Sequence, residues 1–237
     1  MAQQDNTGGV QGERTLPSKI NSYYELHVPA SGSRPLLIAL HGYGSNKRHM
    51  MKDARAMVPD TFAVASLQGI HQHLKEPREP GAPIRYGFGW LTNFHPEESI
   101  GIHHQAILDL IKTLTDEGIA DPERVFLLGF SQTCALNFRF AFTFPDVLRG
   151  VIGICGGLPG DWETSKSYKH TDASVLYLHG TRDEVYPPER VRDYQLMLAI
   201  RSRMVQSLTY DAGHEITQEM RDDIRRWLGN RTVRTAV

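Results

Sequence analysis

The chain is poor in the features that mark several large protein classes. It has only two cysteines in 237 residues, Cys134 and Cys155, both in apolar surroundings. That reads as a pair of reduced, buried thiols and excludes a disulfide framework. No apolar run approaches the length a membrane helix needs, and residues 1–20 are polar, without the hydrophobic stretch of a signal peptide. Stable membrane insertion is therefore not expected, and the cytoplasm is the default compartment. Charge of one sign is lacking too: 26 basic side chains face 27 acidic ones, with no basic block. Nucleic acid, which demands a concentrated positive field, is excluded as a partner. Internal repeats and low-complexity tracts are absent. The histidines His71, His73 and His95 have no nearby cysteine or acid pair at a zinc spacing, so no metal site is expected.

What is present fits one α/β domain, since a chain of this length buries a full-sized core. Residues 1–19 read as a disordered lead, residues 20–230 as the domain and residues 231–237 as a frayed tail. Ile20 to Val28 alternates loosely, as a first strand would. Pro35 to Leu40 is a near-continuous apolar run, the mark of a central strand covered on both faces. It empties into His41-Gly42-Tyr43-Gly44, a tight loop that exposes backbone N–H groups. A helix over His49–Val58 and a strand over Phe62–Leu67 follow.

Gln68 to Glu97 shows neither strand nor helix period. Its length and its aromatics, Tyr86, Phe88, Trp90 and Phe94 among them, predict an ordered loop lining a groove. Ile100, His103, Ile107, Leu110, Ile111 and Leu114 then recur on one face of a helix. Further strands are read over Val125–Leu128, Leu148–Cys155, Val175–His179 and Met204–Tyr210. A helix runs from Pro188 to about Arg201, and a last one buries Met220, Ile224 and Trp227. Strands and helices alternating at this spacing predict a mostly parallel sheet with helices on both faces.

The stretch that organises the chain is Val125 to Leu136. Four apolar residues run into Gly129-Phe130-Ser131-Gln132-Thr133, and a long apolar helix follows. Strand, sharp turn and helix with one hydroxyl at the apex make a nucleophile elbow, although Thr133 stands where that motif has its second glycine. In such sheets ligands bind beyond the carboxyl ends of the strands, where Ser131, Asp183 and His214 each follow a separate predicted strand. Taken singly, Asp183 reads as a turn former and His214 as a surface loop residue. Together, in that order, they supply a hydroxyl, a carboxylate and an imidazole, the parts that nucleophilic ester hydrolysis requires.

The chain resembles the phospholipase/carboxylesterase family of α/β-hydrolases, which includes acyl-protein thioesterases and small bacterial carboxylesterases. The resemblance spans about residues 20 to 230. It is carried by Leu40-His41-Gly42-Tyr43-Gly44, Gly87–Trp90, Gly129-Phe130-Ser131-Gln132, His179-Gly180 with Asp183, and Gly213-His214. It implies an α/β-hydrolase fold without a large cap domain. It also implies Ser131 as nucleophile, Asp183 as orienting acid and His214 as general base, with the N–H groups of Tyr43 and Gln132 as oxyanion hole. Trp90, Phe88 and Leu158 are expected to bind substrate, and no cofactor is expected. Thr133 is expected to open the elbow slightly. Cys155 lies where relatives often carry serine, and Glu184 is a rival for Asp183. The expected activity is hydrolysis of short- to medium-chain acyl esters, small-molecule substrates, through an acyl-enzyme. Lysophospholipase, acyl-protein thioesterase, aryl (feruloyl-type) esterase and non-catalytic binding protein are the alternatives, and a homodimer stays open.

Overall fold

The computed structural model describes residues 3–4, 10–30, 34–77, 79 and 81–231. The expected tail beyond Arg231 and much of the expected lead lie outside them. Among the described residues a two-residue ladder, β1 (Gln3–Gln4) with β2 (Val10–Gln11), precedes the main body.

The centre is β4 (Arg34–Leu40), whose residues Leu36 to Leu40 are completely buried. A strand this apolar on both sides can only sit inside a sheet covered twice. Its neighbours are β5 (Ala63–Leu67) on one side and β8 (Ala120–Phe130) on the other. Beyond β5 lies β3 (Tyr24–His27), and beyond β8 come β9 (Gly150–Ile154), β10 (Ser174–Gly180) and β11 (Val205–Tyr210), so the full order is β11-β10-β9-β8-β4-β5-β3. All pairs are parallel except the edge strand β3, which runs antiparallel to β5.

The alternation of side chains divides the core in two. Leu37 and Ala39 point with Phe126, Leu128 and Ile152 toward α1 (Lys47–Met57) and α6 (Gln218–Gly229), which contribute Met50, Ala54, Met57, Ile224 and Trp227. Leu36 and Ile38 point with Leu127 and Val151 to the other face, against α2 (Pro96–Asp116) and α3 (Gln132–Thr143). Each fully buried Leu, Ile or Phe here contributes about 1.5–3 kcal/mol. Local signals set the helix ends. The Asn46 carboxamide oxygen accepts from the N–H groups of Arg48 and His49 at 3.0 and 3.1 Å to start α1. α3 stops at Thr143 because Pro145 forbids helical backbone at Phe144, which sits at φ −117°, ψ 72°.

Two segments differ from their sequence reading. Between Gln68 and Glu97 the chain forms an antiparallel hairpin, β6 (His71–Lys75) with β7 (Arg85–Gly89). It escapes periodicity because both its faces carry polar residues and β7 is broken by glycines. One of these glycines is demanded by packing: a Cβ on Gly87 would lie 2.8 Å from Gly44 Cα. The single helix expected from Pro188 to Arg201 is two short ones, α4 (Pro188–Val191) and α5 (Tyr194–Ala199).

At the carboxyl edge, β10 ends in Gly180, where an added Cβ would lie 2.2 Å from the Ala212 carbonyl oxygen. That close approach brings the loop after β10 against the loop after β11. Gly180→Ala is expected to cost about 2–3 kcal/mol, lowering the melting temperature by roughly 4–12 °C. Gly160→Ala, which meets nothing within 4 Å, is the control in the same thermal unfolding series and is expected to leave it unchanged.

Candidate active site

Ser131 lies between β8 and α3 with φ 57° and ψ −115°, a conformation L-residues adopt at a cost of about 1–3 kcal/mol. The surroundings over-determine it. Its N–H donates to the Ile154 carbonyl at 2.9 Å, and its own carbonyl accepts from the Cys134 N–H at 3.1 Å. Glycine is required beside it at Gly156, where a Cβ would sit 2.4 Å from the Ser131 carbonyl oxygen.

Thr133 does not pry this turn apart. Its side chain is fully buried, and its hydroxyl accepts from the Phe130 N–H at 3.0 Å. The same hydroxyl has the Leu40 and Phe130 carbonyls within 3.1 and 3.0 Å as acceptors. In place of an opened elbow there is a polar staple between β8, α3 and the end of β4.

The sheet brings Ser131, His214 and Asp183 together from the ends of three strands. His214 Nε2 is 2.9 Å from Ser131 Oγ. His214 Nδ1 is 3.0 and 3.1 Å from the two Asp183 oxygens. An ionised Asp183 is acceptor only, so Nδ1 carries the proton and Nε2 is free to accept from the serine hydroxyl. Burial pushes the Asp183 carboxyl up, but hydrogen bonds from the Tyr186 N–H, His214 and the Val185 N–H outweigh it and hold the carboxyl below its ordinary range. The imidazole is flanked by Phe130, with ring centroids 4.9 Å apart, and by Tyr186 at 6.0 Å. Glu184 is exposed, and it is Asp183 that His214 Nδ1 meets. Cys155 is buried, and loss of solvent together with the nearby Asp183 charge pushes its thiol up to about 12. A thiol held neutral in this way is no nucleophile.

Facing Ser131 is the loop after β4. Gly44 adopts φ 77°. The hairpin clasps this loop: the Gly44 N–H donates to the Phe88 carbonyl at 2.9 Å, and the Phe88 N–H to the Ser45 carbonyl at 3.2 Å. The Tyr43 N–H has no acceptor among the described residues. Gln132 opens α3, where first-turn N–H groups have no intrahelical partner. Beside the loop an open groove of about 650 Å³ is lined by Tyr43, His71, His73, Gly89, Leu91 and Asn93 among others. The Tyr43 ring, exposed, stacks on His73 at 4.4 Å.

Of the residues expected to bind substrate, Phe88 is half-buried and engaged through its backbone, and Leu158 is half-buried against the core. Trp90 is only 3% exposed and stands behind the loop rather than on the groove. His41 was not singled out by sequence beyond its place in the loop motif. It is completely buried: Nδ1–H donates to the Gly42 carbonyl at 2.8 Å, and Nε2 accepts from the Gly69 N–H at 3.0 Å. The described residues hold no group of side chains suited to a metal ion, and none of their helices is long and apolar enough to cross a membrane.

Sheet order and flanking helices are those of an α/β-hydrolase. Residues 21–231 match the sequence model of the phospholipase/carboxylesterase family. The chain belongs to that family, and it is an enzyme that hydrolyses acyl esters. Acyl-protein thioesterase 1 of Eremothecium gossypii is 26% identical over 212 residues, 82% of this chain and 86% of that protein. Among solved structures, a Bacillus cereus carboxylesterase superposes with a TM-score of 0.68 at 17% identity, covering 89% of this chain and 94% of the other. SOBER1 of Arabidopsis thaliana superposes at 0.62 with 20% identity, covering 85% and 100%.

Burial pushes the His41 imidazole down to about 4, against the opposing pull of the Gly42 carbonyl. His103 and His104 are pushed to about 3 and about 4, again chiefly by burial. Below the ordinary histidine value the unfolded chain takes up protons that these folded imidazoles refuse, so stability falls as pH drops from about 6.5 toward 4. Thermal unfolding across pH 4–8 is expected to show a flat melting temperature above 7 and a steady decline below 6.5. A melting temperature unchanged down to pH 4.5 would show that these histidines accept protons in place.

Proposed function

We propose that the site is a serine esterase centre for short- to medium-chain acyl esters, acting in the cytoplasm through an acyl-enzyme. The observation that carries the reading is the unbroken line Ser131–His214–Asp183, with hydrogen-bonding separations of 2.9 and 3.0 Å. In the first half-reaction Ser131 Oγ attacks the ester carbonyl carbon while its proton passes to His214 Nε2. The imidazolium forms beside an ionised Asp183, which stabilises it without taking the proton. The carbonyl oxygen, now negative, is received by the Tyr43 and Gln132 N–H groups. Collapse breaks the bond to the alcohol, which leaves with the proton from His214. Water then repeats the sequence on the acyl-enzyme and releases the acid.

The preference for shorter chains is supported by the character of the wall beside Tyr43. Each methylene taken out of water contributes about 0.8 kcal/mol, so a long-chain enzyme gains from a continuous apolar channel. In the groove here the apolar side chains of Tyr43, Ile70 and Leu91 are interrupted by His71, Gln72, His73, Thr92 and Asn93. A second reading, acyl-protein thioesterase, is favoured by the likeness to the Eremothecium enzyme of that name.

Ser131→Ala is expected to abolish labelling by a fluorophosphonate and nearly all turnover in a folded protein. Asp183→Asn is expected to lower kcat by about 10³- to 10⁴-fold, because the amide favours the wrong imidazole tautomer. Glu184→Gln should stay within a few-fold of the parent. The opposite ranking of Asp183→Asn and Glu184→Gln would move the acid role to Glu184.

Chain length is tested with monomeric esters from acetyl to palmitoyl, each below its aggregation limit. kcat/KM is expected to peak between butyryl and octanoyl and to fall beyond. A value still climbing at dodecanoyl and palmitoyl would replace the short-chain reading with the thioesterase or lysophospholipase one.

A further inference from the structure

The two N–H groups assigned to the oxyanion hole belong to different elements. Tyr43 follows β4, and Gln132 begins α3. Electrostatic stabilisation of this kind depends on both donors standing in place before charge develops, within a few tenths of an ångström. Trp90, the residue after β7, touches both sides. Its backbone N–H donates to the Gln132 side-chain oxygen Oε1 at 2.9 Å. Its indole Nε1–H donates to the His41 carbonyl at 2.9 Å. The indole also packs against the His41 imidazole, with centroids 5.3 Å apart, and meets His103 edge-on at 5.7 Å. His103 in turn is 3.1 Å from Asn137 Oδ1 on α3.

The peptide units of the loop translate these contacts into the direction of the Tyr43 N–H. A trans peptide is planar, so its carbonyl and N–H point opposite ways. The Gly42 carbonyl is the partner of the Tyr43 N–H, and it is pinned by His41 Nδ1–H at 2.8 Å and the Ser45 N–H at 3.2 Å. The preceding carbonyl, that of His41, is pinned by the Trp90 indole. Two successive peptide planes are thereby fixed, and the second aims its N–H away from its bound carbonyl.

We propose that Trp90 is a positioning residue that holds the two oxyanion donors in register across the gap between β4 and α3. It acts through His41 and Gln132 and touches no reacting atom. The proposal rests on the reading of the Tyr43 and Gln132 N–H groups given above. It separates two parts of the ring: apolar bulk, which any aromatic supplies, and the indole N–H, which only tryptophan supplies.

Two variants isolate that N–H. Trp90→Phe keeps an aromatic ring and the backbone N–H. Replacing Trp90 with β-(3-benzothienyl)alanine keeps the bicyclic volume and exchanges the N–H for sulfur, so it carries the test should Trp90→Phe not fold. Removing an oxyanion donor outright costs about 10²–10³ in kcat. Misplacing one is expected to cost about 10- to 100-fold on the same scale, with KM within twofold. A boronic acid that mimics the tetrahedral adduct should lose affinity by the same factor as kcat/KM, while the product carboxylate binds as before. Gln132→Met, which removes the acceptor for the Trp90 N–H but keeps the Gln132 backbone N–H, should show less than additive loss when combined with Trp90→Phe. A folded variant with kcat within twofold of the parent overturns the proposal, as does a fall in kcat with boronate affinity intact. Fluorophosphonate labelling of Ser131 in the parent distinguishes the two levels. Labelling there with an unimpaired Trp90 variant defeats the positioning role alone, whereas absence of labelling defeats the reading of the site and the proposal with it.

Discussion

A serine held at positive φ is the constraint to which the rest of this structure answers. Left alone, residue 131 would relax into ordinary helix or strand backbone and draw its hydroxyl away from His214. It is kept by hydrogen bonds to Ile154 and from Cys134, by the Thr133 hydroxyl and by the absence of a side chain at Gly156. These contacts come from β8, β9 and α3, so the turn is stable only because the surrounding sheet and helix are already packed. The fold's two cores provide that rigidity, and the cost of the strained residue is small beside the burial that opposes its relaxation.

The same packing sorts the ionisable groups into two kinds. Asp183 is as buried as His41 and His103, yet it stays charged while they stay neutral. The difference lies in what faces them. Asp183 accepts from two backbone N–H groups and an imidazole, whereas His103 is near another imidazole and an amide oxygen. One arrangement gives a fixed negative charge beside the His214 imidazole. The other gives uncharged props that hold shape without adding charge to the interior.

Much of this was legible in the residues. Pro35 to Leu40 announced a doubly covered strand, and the order Ser131, Asp183, His214, each beyond a strand, singled out the residues that the sheet brings together. The hairpin was not legible, because a largely polar strand paired with one broken by glycines leaves no period in either. The staple made by Thr133 is invisible to sequence, which gives the bulk of a β-branched residue and so an opened elbow, but not the carbonyls its hydroxyl meets. Trp90 drew notice as an aromatic near the site, but its buried side and its two partners, 42 and 49 residues away in sequence, emerge only from the tertiary structure.

The hairpin clasped to the loop after β4 divides, in its consequences, into a base and a tip. At the base, Gly87 and Phe88 lie against Gly44 and Ser45, and the next residues lead to Trp90. At the tip, Glu76, Pro83 and Ile84 stand in solvent. Changes in length or chemistry at the tip meet solvent alone, while changes at the base press directly on the backbone of the loop after β4. Variation of the tip is thereby uncoupled from the packing of the base, and the tip is where residues can be added or exchanged without disturbing the loop beneath it.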